Sequence, residues 1–144
     1  MSAAHQIGGC LCGAVKIIAR IPKREIMACH CGQCRRWTGG SPLLVVGIEE
    51  ASFGGVEHIG AFRISDWGER CFCTQCGTTL FWRMQGQEAK SICAGALDDQ
   101  SGFTVTKEIF CDRRAPWMPH WEGAAQSTEA EEFAKLDAAL ANNE

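Results

Sequence analysis

The chain has 144 residues, ten of them cysteine, with a formal net charge of −3 and a pI of about 5.8. That length suits one domain with a real core, and the acidic balance excludes a general nucleic-acid binder, which needs a basic face. No apolar run approaches a membrane span, and Met1-Ser2-Ala3-Ala4-His5-Gln6 lacks the basic start and apolar stretch of a signal peptide. So many cysteines imply either a disulfide framework or metal sites. They recur as C-x-C and C-x-x-C pairs, the spacing of metal ligands, and a disulfide between i and i+2 would be strained. The expectation is a cytoplasmic protein with reduced thiols.

The chain opens with Gly8-Gly9-Cys10-Leu11-Cys12-Gly13, where glycines let the backbone turn tightly around two sulfurs. Val15, Ile17, Ala19 and Ile21 then alternate with Lys16, Ile18 and Arg20, which predicts a strand over 14–21 that ends at Pro22. Ile26-Met27-Ala28 reads as a short strand leading into Cys29-His30-Cys31-Gly32-Gln33-Cys34. Cys29 and Cys31 of an extended segment point to one side, and His30 to the other. Gly32 permits a turn that brings Cys34 round to the same point. After a loop over 38–42, the apolar run 43–48 fits a buried strand. Phe53 and residues 59–64 give two more strands, with Gly54-Gly55 as a turn.

Cys73-Thr74-Gln75-Cys76-Gly77 has the form of a zinc knuckle, with Gly77 supplying the permissive φ. Strands are predicted over 78–84, over 91–95 with Cys93 as a small core residue, and over 102–110. Residues 113–121, rich in Pro and Trp, read as an irregular loop. Thr128-Glu129-Ala130-Glu131 is a capping box, and Phe133, Leu136 and Leu140 recur at helical spacing, so a helix is predicted over about 129–141. Asp98-Asp99 and Glu49-Glu50 read as solvated acids. The sum is a mainly β fold of short strands with a C-terminal helix, one domain over 1–144 with its core over about 7–121.

Cys10 and Cys12 with Cys73 and Cys76 make a closed tetrahedral site. Cys29, Cys31 and Cys34 are one ligand short, leaving a position for water or substrate. Cys71 either competes as a ligand or completes that second site, and Cys111 takes no role.

The succession C-x-C, C-H-C-x-x-C-R-R-x-T-G, F-C-x-x-C-G-T-x-L-F-W and A-P-W, from Gly9 to about Trp117, resembles the glutathione-dependent formaldehyde-activating enzyme family, which includes centromere protein V. The resemblance implies a β-tent fold of short antiparallel strands with two zincs per chain. It places structural ligands at Cys10, Cys12, Cys73 and Cys76 and catalytic ligands at Cys29, Cys31 and Cys34. It further implies a carbon–sulfur lyase joining a small thiol, glutathione, to an aldehyde, formaldehyde. A substrate thiolate at the open zinc would attack the aldehyde carbon. Arg35 and Arg36 would offset the thiolate charge or hold a substrate carboxylate, and Trp37, Trp82 and Trp117 would wall the pocket. Two other readings compete: a non-catalytic binding module with both metals structural and Cys71 closing the second site, and a redox protein with labile thiolates.

Overall fold

The structure is a computed structural model that describes residues 4–142. In chain order its elements are β1 (Ala4–Gly9), β2 (Lys16–Ile21), β3 (Glu25–Cys29), α1 (Gly32–Thr38), β4 (Leu43–Gly47) and β5 (Glu50–Gly54). Then come β6 (Ile59–Phe62), β7 (Gly68–Cys73), β8 (Thr79–Met84), β9 (Ser91–Cys93), β10 (Thr104–Ile109), β11 (Ala125–Ser127) and α2 (Glu129–Asn142). The fold is mainly β, as expected. The chain divides into two compact units, Met1–Ile26 with Val45–Thr104 and Met27–Leu44 with Val105–Glu144.

In the first unit β1, β2 and β5 form one antiparallel sheet. β2 behaves as its alternation predicts: Val15, Ile17, Ala19 and Ile21 are buried, whereas Ile18 stays half exposed opposite Ile7. β1 carries few β-formers and was not expected. Its glycines explain it, because a Cβ on Gly8 would lie 2.1 Å from the Ala96 carbonyl oxygen, so only glycine lets the strand pass there. A second antiparallel sheet runs β6-β7-β8, with an irregularity in register between Cys71 and Phe72, and β4 pairs with β9. Leu80, Phe81, Ile92 and Val46 are almost wholly buried, and the Phe53 and Phe81 rings pack at 5.1 Å.

Glu69 on β7 is buried and charged. Arg63 Nε donates to one oxygen at 2.8 Å and Arg83 Nε to the other at 2.5 Å. These two guanidiniums hold its carboxyl below the usual carboxylate range. Cys71 and Cys93 are buried in this unit, Cys93 as expected of a core residue.

In the second unit β11, β10 and β3 are successive neighbours. The β10–β11 pairing is parallel, an exception to the antiparallel expectation, with Glu108 opposite Gln126. The largest departure is α1: the expected turn at Gly32 is the start of a helix. Cys31 is its N-cap, extended at φ −60° and ψ 153°, and Gly39 ends it in the left-handed region at φ 85°.

α2 has its capping box. Glu131 N donates to Thr128 Oγ1 at 3.3 Å, and Thr128 N donates to Glu131 Oε1 at 3.0 Å. Its start is also tied to the turn after β10. Glu129 N donates to Asp112 Oδ1 and Arg113 Nε to Glu129 Oε2, each at 2.9 Å. Phe110, at φ 54°, stacks edge-on against Phe133. Thr128→Ala is expected to lower stability by about 1 kcal/mol. Thermal melting followed by circular dichroism would check this, and an unchanged midpoint would mean that the Asp112 contact alone holds the helix start.

Candidate metal centres

Two groups of thiols converge among the described residues: Cys10, Cys12, Cys73 and Cys76, and separately Cys29, Cys31 and Cys34, with the sulfurs of each group within 4.8 Å of one another. These are the two sets that cysteine spacing separated. Neither includes Cys71, so the closed second site required by the binding-module reading is not found among the described residues.

The four-sulfur group belongs to the first unit and is built from two tight turns. In one, Gly13 N donates to the Cys10 carbonyl at 3.2 Å and Val15 N to Cys10 Sγ at 3.2 Å. In the other, Gly77 N donates to the Cys73 carbonyl at 2.8 Å, and Gly77 adopts φ 78°, which favours glycine. The Cys10–Cys12 and Cys12–Cys73 sulfurs stand 3.6 and 3.8 Å apart, far beyond disulfide length. Thr78 joins the turns, a role the sequence reading missed. Its Oγ1 accepts from Leu11 N at 3.0 Å and lies 3.1 Å from Cys76 Sγ. The Thr78 hydroxyl, helped by its backbone, pulls the Cys76 thiol down to about 5. Cys12 runs the other way: a backbone hydrogen bond from Ala14 lowers its pKa, but desolvation and the neighbouring Cys10, Cys76 and Cys73 sulfurs outweigh it and push the thiol up to about 11. A bound cation would remove that conflict, and four sulfurs on two knuckles suit a soft tetrahedral metal.

The three-sulfur group belongs to the second unit, where β3 runs into α1. Cys31 and Cys34 sulfurs are 3.0 Å apart, and Cys34 and Cys29 sulfurs 3.4 Å apart. Cys34 N also donates to Cys31 Sγ at 3.3 Å, so the N-cap thiol doubles as a cluster member. Cys29 and Cys34 are buried. Contacts with Cys31 and Cys34, reinforced by burial, drive the Cys29 pKa far above the ordinary thiol range. Three sulfurs this close cannot all ionise without a cation among them, and the donor set fits a metal such as zinc with three protein ligands.

The residues expected around this group are distributed as follows. Arg35 Nε donates to the His30 carbonyl at 3.1 Å, bracing the cysteine segment. Arg36, on the next position of α1, is exposed. Trp117 is 69% exposed, and its ring lies on Gly40, 3.5 Å from where a Cβ would stand. Trp82 lies in the first unit, edge-on to Trp67 at 5.8 Å and over Gly68, whose Cβ it would meet at 2.5 Å. His30 is wholly buried and stands apart from the sulfur group. Its ring reaches Glu108, a residue in which the sequence showed no role.

A mainly β chain carrying one four-thiol and one three-thiol group, each able to hold a metal ion, is thus the class of protein that fold and sites define. The chain belongs to the glutathione-dependent formaldehyde-activating enzyme family, whose sequence profile matches residues 5–113 and so takes in all seven clustered cysteines. It is 35% identical over 75 residues to a Schizosaccharomyces pombe (strain 972 / ATCC 24843) protein named as an uncharacterized lyase, a match covering 52% of this chain and 55% of that protein. The chain therefore spans about half the length of this curated relative. A Rhodobacter sphaeroides protein of known crystal structure, a Northeast Structural Genomics target, shares the fold. Its TM-score is 0.54 at 18% identity, covering 85% of this chain and 99% of that one. Among the described residues no helix is long and apolar enough to cross a membrane.

Proposed function

We propose that the protein is a zinc-dependent carbon–sulfur lyase that joins a small thiol of the glutathione type to a small aldehyde of the formaldehyde type, and cleaves the adduct in reverse. The observation that carries this reading is the difference in size between the two thiol groups. Cys10, Cys12, Cys73 and Cys76 fill a tetrahedral metal's needs, while Cys29, Cys31 and Cys34 leave room for one exchangeable ligand. The family match and the relative's name as a lyase support the same reaction class.

A divalent metal held by Cys29, Cys31 and Cys34 would, when bound, lower the pKa of a thiol entering the site. Three cysteine thiolates would already donate to such a metal, which would make carbonyl polarisation the weaker option and thiol capture the better one. In the forward direction a carbon–sulfur bond forms as the thiol sulfur adds to the aldehyde carbon, and the thiol proton ends on the aldehyde oxygen. Arg36, exposed at the last turn of α1, would receive a substrate carboxylate. Arg35 is already committed to the His30 carbonyl and serves the shape of the site instead. Trp117 offers an apolar surface in the same unit. Both substrates and a cytoplasmic setting belong to this proposal.

The test is adduct formation from glutathione and formaldehyde by zinc-loaded protein, followed by exchange NMR against the uncatalysed reaction. A rate at least about tenfold above background, about 1.4 kcal/mol of barrier, is the expected result. A rate equal to background, in protein shown to carry two zincs, would exclude this substrate pair.

A further inference from the structure

His30 lies between two cysteines of the three-sulfur group, yet its side chain is used elsewhere. Its Nε2 is 2.8 Å from Glu108 Oε1, and both residues are wholly buried. Its backbone N–H donates to the Ile109 carbonyl at 3.0 Å, and its own carbonyl accepts from Arg35 Nε at 3.1 Å. Two adjacent residues of β10 therefore grip His30 by ring and amide, and α1 grips it by the carbonyl. The peptide that sets the angle between Cys29 and Cys31 is held at nearly every polar atom.

Glu108 is itself over-determined. Besides His30 it accepts from Arg114 Nη2 at 3.2 Å, Gln126 Nε2 at 2.7 Å and Trp121 N at 3.1 Å. Burial raises its pKa, but the Gln126, His30 and Trp121 hydrogen bonds and the Arg114 charge more than offset this and leave it lowered. A carboxylate oxygen accepts, so Nε2 of His30 is the donor of this contact. Nδ1 is buried and has no hydrogen-bond partner in the structure. A buried charge with four donors and a buried ring with one unmet atom are costly to assemble, which a core of this size does not require for stability. The cost falls on one segment, the arc carrying Cys29 and Cys31.

We propose that Glu108 is a positioning residue. Acting through the His30 ring, it holds Cys29 and Cys31 in metal-ready geometry before metal arrives, and so sets how tightly the three-cysteine centre retains its metal. This rests on the reading of Cys29, Cys31 and Cys34 as a metal centre. A site with three protein ligands loses metal more readily than one with four, so pre-ordering of its ligands matters most there. Outer contacts of this kind typically change metal affinity by about 10–100-fold.

The experiment follows zinc release from the loaded full-length protein to a chromophoric chelator, for wild type, Glu108→Gln, His30→Leu and His30→Gln. Wild type should release two equivalents in two phases, the faster from the three-cysteine group. His30→Leu and Glu108→Gln should speed that phase about tenfold or more and leave the slower phase unchanged. His30→Gln, whose side-chain amide can still donate to Glu108, should restore slow release. If the faster phase is unchanged in His30→Leu, or if His30→Gln fails to restore it, the positioning role is overturned while the metal centre stands. A single equivalent from wild type would overturn the metal centre and this role with it. The comparison of the two His30 variants decides the matter even if Glu108→Gln does not fold.

Discussion

Serine in place of Cys73 is expected to abolish folding of the first unit instead of merely weakening it. Cys73 is wholly buried at the end of β7, its sulfur 3.8 Å from Cys12 across 61 residues of sequence. Its carbonyl closes the turn to Gly77, and its amide donates to the Thr78 carbonyl at 3.0 Å. Thr78 in turn holds the first knuckle through Leu11 N. Metal at such a four-thiolate site contributes about 10–16 kcal/mol to folding, whereas domains have a net stability of about 5–15 kcal/mol. Losing one ligand of four removes a share comparable to the whole. The variant should lack a cooperative melting transition, and wild type should lose its own on prolonged chelation. A cooperative transition that survives both treatments would show that the knuckles fold without metal.

Cysteine spacing revealed both thiol groups because each is assembled from pairs two or three residues apart, where side-chain direction follows from local backbone. The alternation in β2 and the capping box of α2 were legible for the same reason: each is a short-range rule that the wider fold does not override. Helix α1 was not. Gly32-Gln33-Cys34-Arg35-Arg36-Trp37-Thr38 has no strong apolar period, is only 7 residues long, and is capped by a cysteine, which is not among the usual N-caps. β1 was hidden by its glycines, which read as a turn. They are present because backbone carbonyls pass where a Cβ would be, that of Ala96 at Gly8 and that of Val15 at Gly9. The Glu108–His30 contact joins residues 78 positions apart, and β11, which brings Gln126 beside Glu108, is three residues long. Nothing local marks Glu108 as different from any other strand-edge acid.

Cys31→Ser is expected to abolish activity while preserving the fold, and the helix cap explains why. Cys31 has two roles. Its sulfur belongs to the three-thiol group, and its side chain caps α1 by accepting from Cys34 N. Serine is a preferred N-cap, so the second role passes to the hydroxyl with no loss, and stability should stay within about 0.5 kcal/mol of wild type. The first role does not pass, because a serine hydroxyl stays protonated at neutral pH and is a poor ligand for a soft metal. Zinc content should fall by one equivalent per chain. Thiol-dependent aldehyde turnover should drop by about two orders of magnitude or to the spontaneous rate, a barrier change of about 2.7 kcal/mol. Cys34→Ser does not separate the roles in this way, since Cys34 is buried within α1 and its loss perturbs packing as well. Turnover at the wild-type rate in Cys31→Ser, with zinc reduced to one, would remove the three-cysteine centre from the reaction and leave the four-cysteine centre as a structural metal in a protein of some other function.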